Sequence, residues 1–93
     1  MAYELAKELK DAGFPQGGGG TWSYPSDALV IRRADRAYMP TLSELIEACG
    51  EQFGSLEREM KAWHARTKDS HARGGGENPS EAVARLWLAL NKQ

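Results

Sequence analysis

Three stretches of the chain repeat apolar residues at helical spacing, and each is bounded by residues that start or stop a helix. In the first, Tyr3, Leu5, Ala6 and Leu9 share one face while Glu4, Lys7, Glu8 and Lys10 take the other. Gly13 suits the left-handed position that closes a helix, Phe14 can pack back on Leu9, and Pro15 forbids continuation. This predicts a helix over about residues 2–12. In the second, Thr41 and Glu44 form a capping box ahead of Leu42, Leu45, Ile46 and Cys49, and Gly50 stops the helix. The third opens with Asn78 as cap, Pro79 at the first helical position and Glu81 completing the cap. Its main face is Val83, Leu86, Trp87 and Leu90. Ala82, Leu88 and Ala89 widen that face, which predicts a helix covered on more than one side at the centre of the core.

Between the first two helices the pattern changes. Pro15 to Thr21 contains four consecutive glycines and reads as a flexible loop, residues 15–21. Trp22 and Tyr24 share one side of an extended segment, and Pro25, Ser26 and Asp27 turn the chain. Leu29, Val30 and Ile31 are the strongest β-forming run, and Ala37, Tyr38 and Met39 fit a return strand after a turn at Ala34 and Asp35.

Residues 51–73 fit two patterns. Phe53, Leu56, Met60 and Trp63 recur at helical spacing, whereas Ala62, His64 and Arg66 alternate with Trp63, Ala65 and Thr67 as a strand would. Periodicity leaves both open. The segments ELAKELKDAGFPQ, AYMPTLSELIEACG and NPSEAVARLWLALNK resemble small uncharacterised proteins encoded by bacteriophages and prophages. Gly13, Phe14, Pro15, Pro40, Thr41, Leu42, Glu44, Leu45, Ile46, Pro79, Glu81, Ala82, Ala84, Leu86, Trp87 and Leu90 carry the likeness, which covers about half the chain. The resemblance implies a hairpin for Phe53 through Ala65, leading through a glycine-rich loop at residues 72–77 into the last helix, and it brings no activity with it. The expected fold is therefore α+β in the order αββαββα, with antiparallel strands packed against helices. The alternative is an all-α bundle in which residues 52–68 are helical.

Composition bounds the rest. A chain of 93 residues, 41% hydrophobic and 27% charged, is expected to form a single globular domain. The lone Cys49 has no disulfide partner, and the charged start MAYELAKELKDAG is unlike a signal peptide, which together predict a cytoplasmic protein. The longest nearly apolar run, Ala82 to Leu90, holds Arg85 and is far shorter than the roughly 20 residues a membrane span needs.

No motif rises above its ordinary structural reading, so no cofactor, metal or catalytic residue is expected. Gly17 to Gly20 follow a helix and lack the Lys-Ser or Lys-Thr pair of a phosphate loop. Gly74 to Gly76 precede a helix N-terminus that Glu77 and Glu81 make unfavourable for an anion. His64 and His71 have no Cys or carboxylate at zinc-ligand spacing, Cys49 lies on the apolar face of its helix, and no GxSxG elbow is present. A pair of catalytic carboxylates has nothing to select it from 13 acidic residues. Trp87 reads as a core anchor, as do Trp22 and Trp63, although their polar neighbours also suit a contact surface.

Charge by segment gives the one functional pointer. A net charge of −1 hides basic strands, with Arg32, Arg33 and Arg36 in one hairpin and Arg58, Lys61, Arg66, Lys68 and Arg73 in the other, against an acidic second helix with Glu44, Glu47 and Glu51. Arg32, Arg33, Arg36, Arg58, Lys61, Trp63, Arg66 and Lys68 form the candidate surface for a partner or nucleic acid. The reading expected first is a non-enzymatic accessory or protein-binding domain of phage or prophage type, meeting a protein partner or a second copy of itself. A weak nucleic-acid binder using the basic strands comes second, and an enzyme last.

Overall fold

In the computed structural model, which describes residues 3–25 and 35–91, the element order is αββαβββα. The chain divides into two compact units, Met1–Pro40 and Thr41–Gln93, a division that its length does not announce.

The first unit begins with α1, Tyr3–Asp11, which buries Leu5, Ala6 and Leu9. Its end follows the sequence closely. Gly13 takes φ 94° and donates to the Lys10 carbonyl, while the Phe14 N–H reaches the Leu9 carbonyl at 2.9 Å, the paired bonds that satisfy the last carbonyls of a helix. Phe14 is buried.

The strands β1, Thr21–Ser23, and β2, Ala37–Met39, pair antiparallel with Trp22 opposite Tyr38. Among the described residues the strand beside Ala37–Met39 is Thr21–Ser23, and the run Leu29 to Ile31, expected to pair with it, lies outside the described residues. The contact is aromatic. Trp22 meets the buried Tyr38 ring edge-on at 5.4 Å, directly across the pair. Gln16 ties the glycine-rich connection to β2, accepting from the Tyr38 N–H at 2.9 Å and donating to the Phe14 carbonyl at 3.0 Å.

The second unit opens with α2, Leu42–Cys49, capped as its sequence predicts: Thr41 Oγ1 accepts from the Glu44 N–H and Glu44 Oε1 from the Thr41 N–H. A 3-10 turn, Gly50–Gln52, leads into β3, Phe53–Glu59. β4, Ala62–Thr67, and β5, Arg73–Gly76, complete an antiparallel sheet of order β3-β4-β5, followed by α3, Pro79–Asn91. Phe53 through Thr67 is thus a hairpin and the helical alternative is not realised.

Residues 73–76, expected to lie in a flexible loop, form β5. Glycine makes this strand possible. A Cβ on Gly74 would lie 2.3 Å from the Leu86 nitrogen and 2.4 Å from the Ala82 oxygen, and one on Gly76 would lie 2.5 Å from the Glu81 Cβ. α3 therefore rests directly on the strand backbone, at a distance no side chain would permit. α3 also packs on β4 and on α2, and its Ala82, Val83, Ala84, Leu86 and Trp87 are buried with Leu45, Cys49 and Ala65.

Replacing Gly74 by Ala is expected to destabilise the fold by about 1–3 kcal/mol in urea unfolding, through overpacking against α3. Gly75→Ala, whose Cβ would find nothing closer than 3.7 Å, is expected to stay within about 0.5 kcal/mol of wild type.

Candidate functional site

The hairpin of β3 and β4 places its residues by register. Phe53 faces Thr67, and after a bulge Ser55, Leu56, Glu57, Arg58 and Glu59 face Arg66, Ala65, His64, Trp63 and Ala62. Residues opposite each other share a face of the sheet. Ala65 is fully buried, so Leu56, Arg58, Trp63, Ala65 and Thr67 belong to the side that α3 covers. Ser55, Glu57, Glu59, Ala62, His64 and Arg66 belong to the other.

The two residues joining the strands, Met60 and Lys61, hold φ of 49° and 71°. A two-residue hairpin loop of this kind needs positive φ at both positions, which Asn-Gly supplies cheaply and Met-Lys does not. Met60 is also 96% exposed, so the apolar side chain at this tip contributes nothing to the core.

A loop closing on Glu59 and Ala62 makes that pair exchange both backbone hydrogen bonds, and the pattern then alternates down the ladder. Glu57 and His64 bond each other; Leu56 and Arg58 direct their N–H and C=O groups away from β4. β5 obeys the same alternation. Gly75, opposite His64, turns its carbonyl outward, and there Arg85 Nη1 donates to it at 2.6 Å. One acceptor on that edge of the sheet is thus taken by a guanidinium. On the other edge, no described residue bonds the outward groups of Leu56 and Arg58, and Glu57, Arg58, Glu59, Met60 and Lys61 are all exposed.

The candidate residues read from sequence are dispersed. Arg32 and Arg33 lie outside the described residues. Arg36, in the first unit, holds its guanidinium 3.7 Å from the centre of the Trp22 ring. Arg58 and Trp63 sit opposite each other on the helix-facing side of the sheet, whereas Arg66 is on the other side, opposite Ser55 and Arg73, with its Nε buried and unpaired. Lys61 is at the hairpin tip and Lys68 beyond the far end of β4, about 20 Å away at the rise of a strand. Glu57 and Glu59 interrupt the series, so these bases do not make one stripe.

The remaining chemistry is local. Thr67, Asp69 and His71 lock the turn between β4 and β5: Thr67 Oγ1 donates to Asp69 Oδ1 at 2.9 Å, and His71 Nδ1 contacts the same oxygen. The bond from the His71 side chain, helped by its backbone N–H and by Thr67, lowers the Asp69 carboxyl to about 2. Burial pushes the Cys49 thiol up to about 11, which leaves it protonated and a poor nucleophile. An open concavity of about 620 Å³ lies between His64, Gly75, Gly76, Glu77, Glu81 and Arg85. Around it Asn78 Oδ1 accepts the Glu81 N–H, Glu81 Oε2 accepts the Glu77 N–H, and Arg85 holds the Gly75 carbonyl. No group of three or more metal-ligating side chains occurs among the described residues. None of the described helices is long and apolar enough to cross a membrane.

Sequence reasoning missed the open edge of β3 and the left-handed tip. Alternation in Ala62 to Thr67 fits a strand and the spacing of Phe53, Leu56, Met60 and Trp63 a helix, and only the register tells which backbone groups face outward. Compared with protein-family models, curated proteins and solved structures, the chain matches none of them.

Met60→Asn combined with Lys61→Gly removes two side chains from left-handed positions and is expected to raise stability by about 1–2 kcal/mol in urea unfolding. An unchanged or lower midpoint would show that the tip carries no such strain.

Proposed function

We propose that the protein is a non-enzymatic binding module, of the accessory kind suggested by its resemblance to phage and prophage proteins, and that it engages a protein partner along the edge of β3. The observation that carries this reading is the contrast between the two edges. On the four-residue β5, Arg85 takes the outward Gly75 carbonyl, while seven residues of β3 end in an exposed tip with the outward groups of Leu56 and Arg58 unbonded among the described residues. An exposed strand edge is a ready template for another strand, and adding one supplies affinity through main-chain hydrogen bonds. Glu57, Arg58 and Glu59 are the charged residues with which such an edge limits indiscriminate pairing, so that a particular partner is selected. The dispersal of the basic residues over both faces and both ends of the hairpin gives a phosphate backbone no continuous track, which places the nucleic-acid reading second.

Proline at position 58 separates this reading from its rivals, because it deletes an outward N–H and leaves every ladder bond to β4 in place. With the pure chain immobilised and nuclease-treated lysate of its own cells passed over it, wild type and Lys68→Ala are expected to retain the same protein. Arg58→Pro, folded by circular dichroism, is expected to retain it at least tenfold less. Retention unaffected by Arg58→Pro, or lost on nuclease treatment, would contradict the reading.

A further inference from the structure

Resting on the β3 edge as the binding site, we infer that its occupant is a heterologous extended segment whose residues run basic, acidic, basic, apolar from N to C terminus. Charge and register determine this. Glu57 and Glu59 lie on the face of β3 away from α3, two residues apart, with Arg58 between them on the side of α3. None of the three has an ion-pair partner among the described residues. An added antiparallel strand continues the pattern of the sheet and bonds Leu56 and Arg58, so its residues opposite Glu59, Arg58, Glu57 and Leu56 are met in that order. Opposite charges placed directly across a ladder are favourable and like charges are not.

The same rule argues against a second copy of β3. A two-fold antiparallel pair must match outward residues with outward residues, which permits three registers within the strand. Pairing Arg58 with Arg58 sets Glu57 against Glu59 twice, and pairing Leu56 with Arg58 sets Glu57 against Glu57. Pairing Leu56 with Leu56 avoids like charges, but it places Arg58 opposite Gly54, where the bulge between Phe53 and Ser55 breaks the regular ladder. A different chain with complementary alternation meets none of these obstacles.

The test uses the full isotope-labelled chain and two blocked peptides, one with Lys-Glu-Lys-Val at its centre and the other with Glu-Lys-Glu-Val. The first is expected to shift the Leu56 and Arg58 amide resonances and to bind at least tenfold more tightly than the second. Glu57→Gln with Glu59→Gln is expected to weaken it roughly threefold or more. Equal binding of both peptides at β3 would overturn the charge pattern and leave the edge as the site. Failure of both peptides to shift Leu56 and Arg58 would overturn the charge pattern and the edge alike. A dimer in sedimentation that Arg58→Pro dissolves would overturn the inference in favour of a second copy.

Discussion

The second unit depends on one close approach, the backbone of α3 against the backbone of β5. Gly74 and Gly76 present no side chain on the helix side, and the Leu86 nitrogen, the Ala82 oxygen and the Glu81 Cβ occupy the space where a Cβ would stand. This contact buries α3, fixes β5 as one border of the sheet and brings Arg85 over it to take the Gly75 carbonyl. It also makes the sheet asymmetric. With the Gly75 carbonyl taken, the four-residue β5 offers an added strand less than β3 does, at the far side of β4.

The hairpin tip is the counterpart of that packing. Met60 and Lys61 hold a conformation that costs both of them, and neither recovers the cost through burial. Natural hairpins put Asn-Gly at such a turn when stability alone is at stake. Retention of a long apolar and a long basic side chain at the end of an open edge is understandable if both are used in contact with something else. The charges follow the same division, with acids toward the tip on the face of β3 away from α3, and Arg66 and Arg73 opposite each other further along the sheet.

Much of the fold was legible because the helices announce themselves through local chemistry. The Thr41 and Glu44 box, the Asn78 cap and the Gly13–Phe14 ending each follow from residues three or four positions apart, and each is realised in the expected bonds. The strands were less legible because pairing is non-local. Ala37–Met39 was recognisable as a strand, yet the described strand beside it, Thr21–Ser23, is distant in sequence and meets it through the Trp22–Tyr38 contact. Arg73–Gly76 looked like a loop because glycine normally breaks structure; here its lack of a side chain is what the helix requires. The candidate site suffered most. A count of basic residues along the chain cannot see that Arg58 and Arg66 take opposite faces, nor that Leu56 has backbone groups to offer.

The account turns on the outward direction of the Leu56 and Arg58 amides, and hydrogen exchange of the free protein tests it most directly. Along β3, the amides of Ser55, Glu57 and Glu59 are expected to be protected and those of Leu56 and Arg58 to exchange freely, an alternation of period two. Uniform protection of all five amides would mean that the edge is already covered, and would contradict the open border on which the binding reading stands.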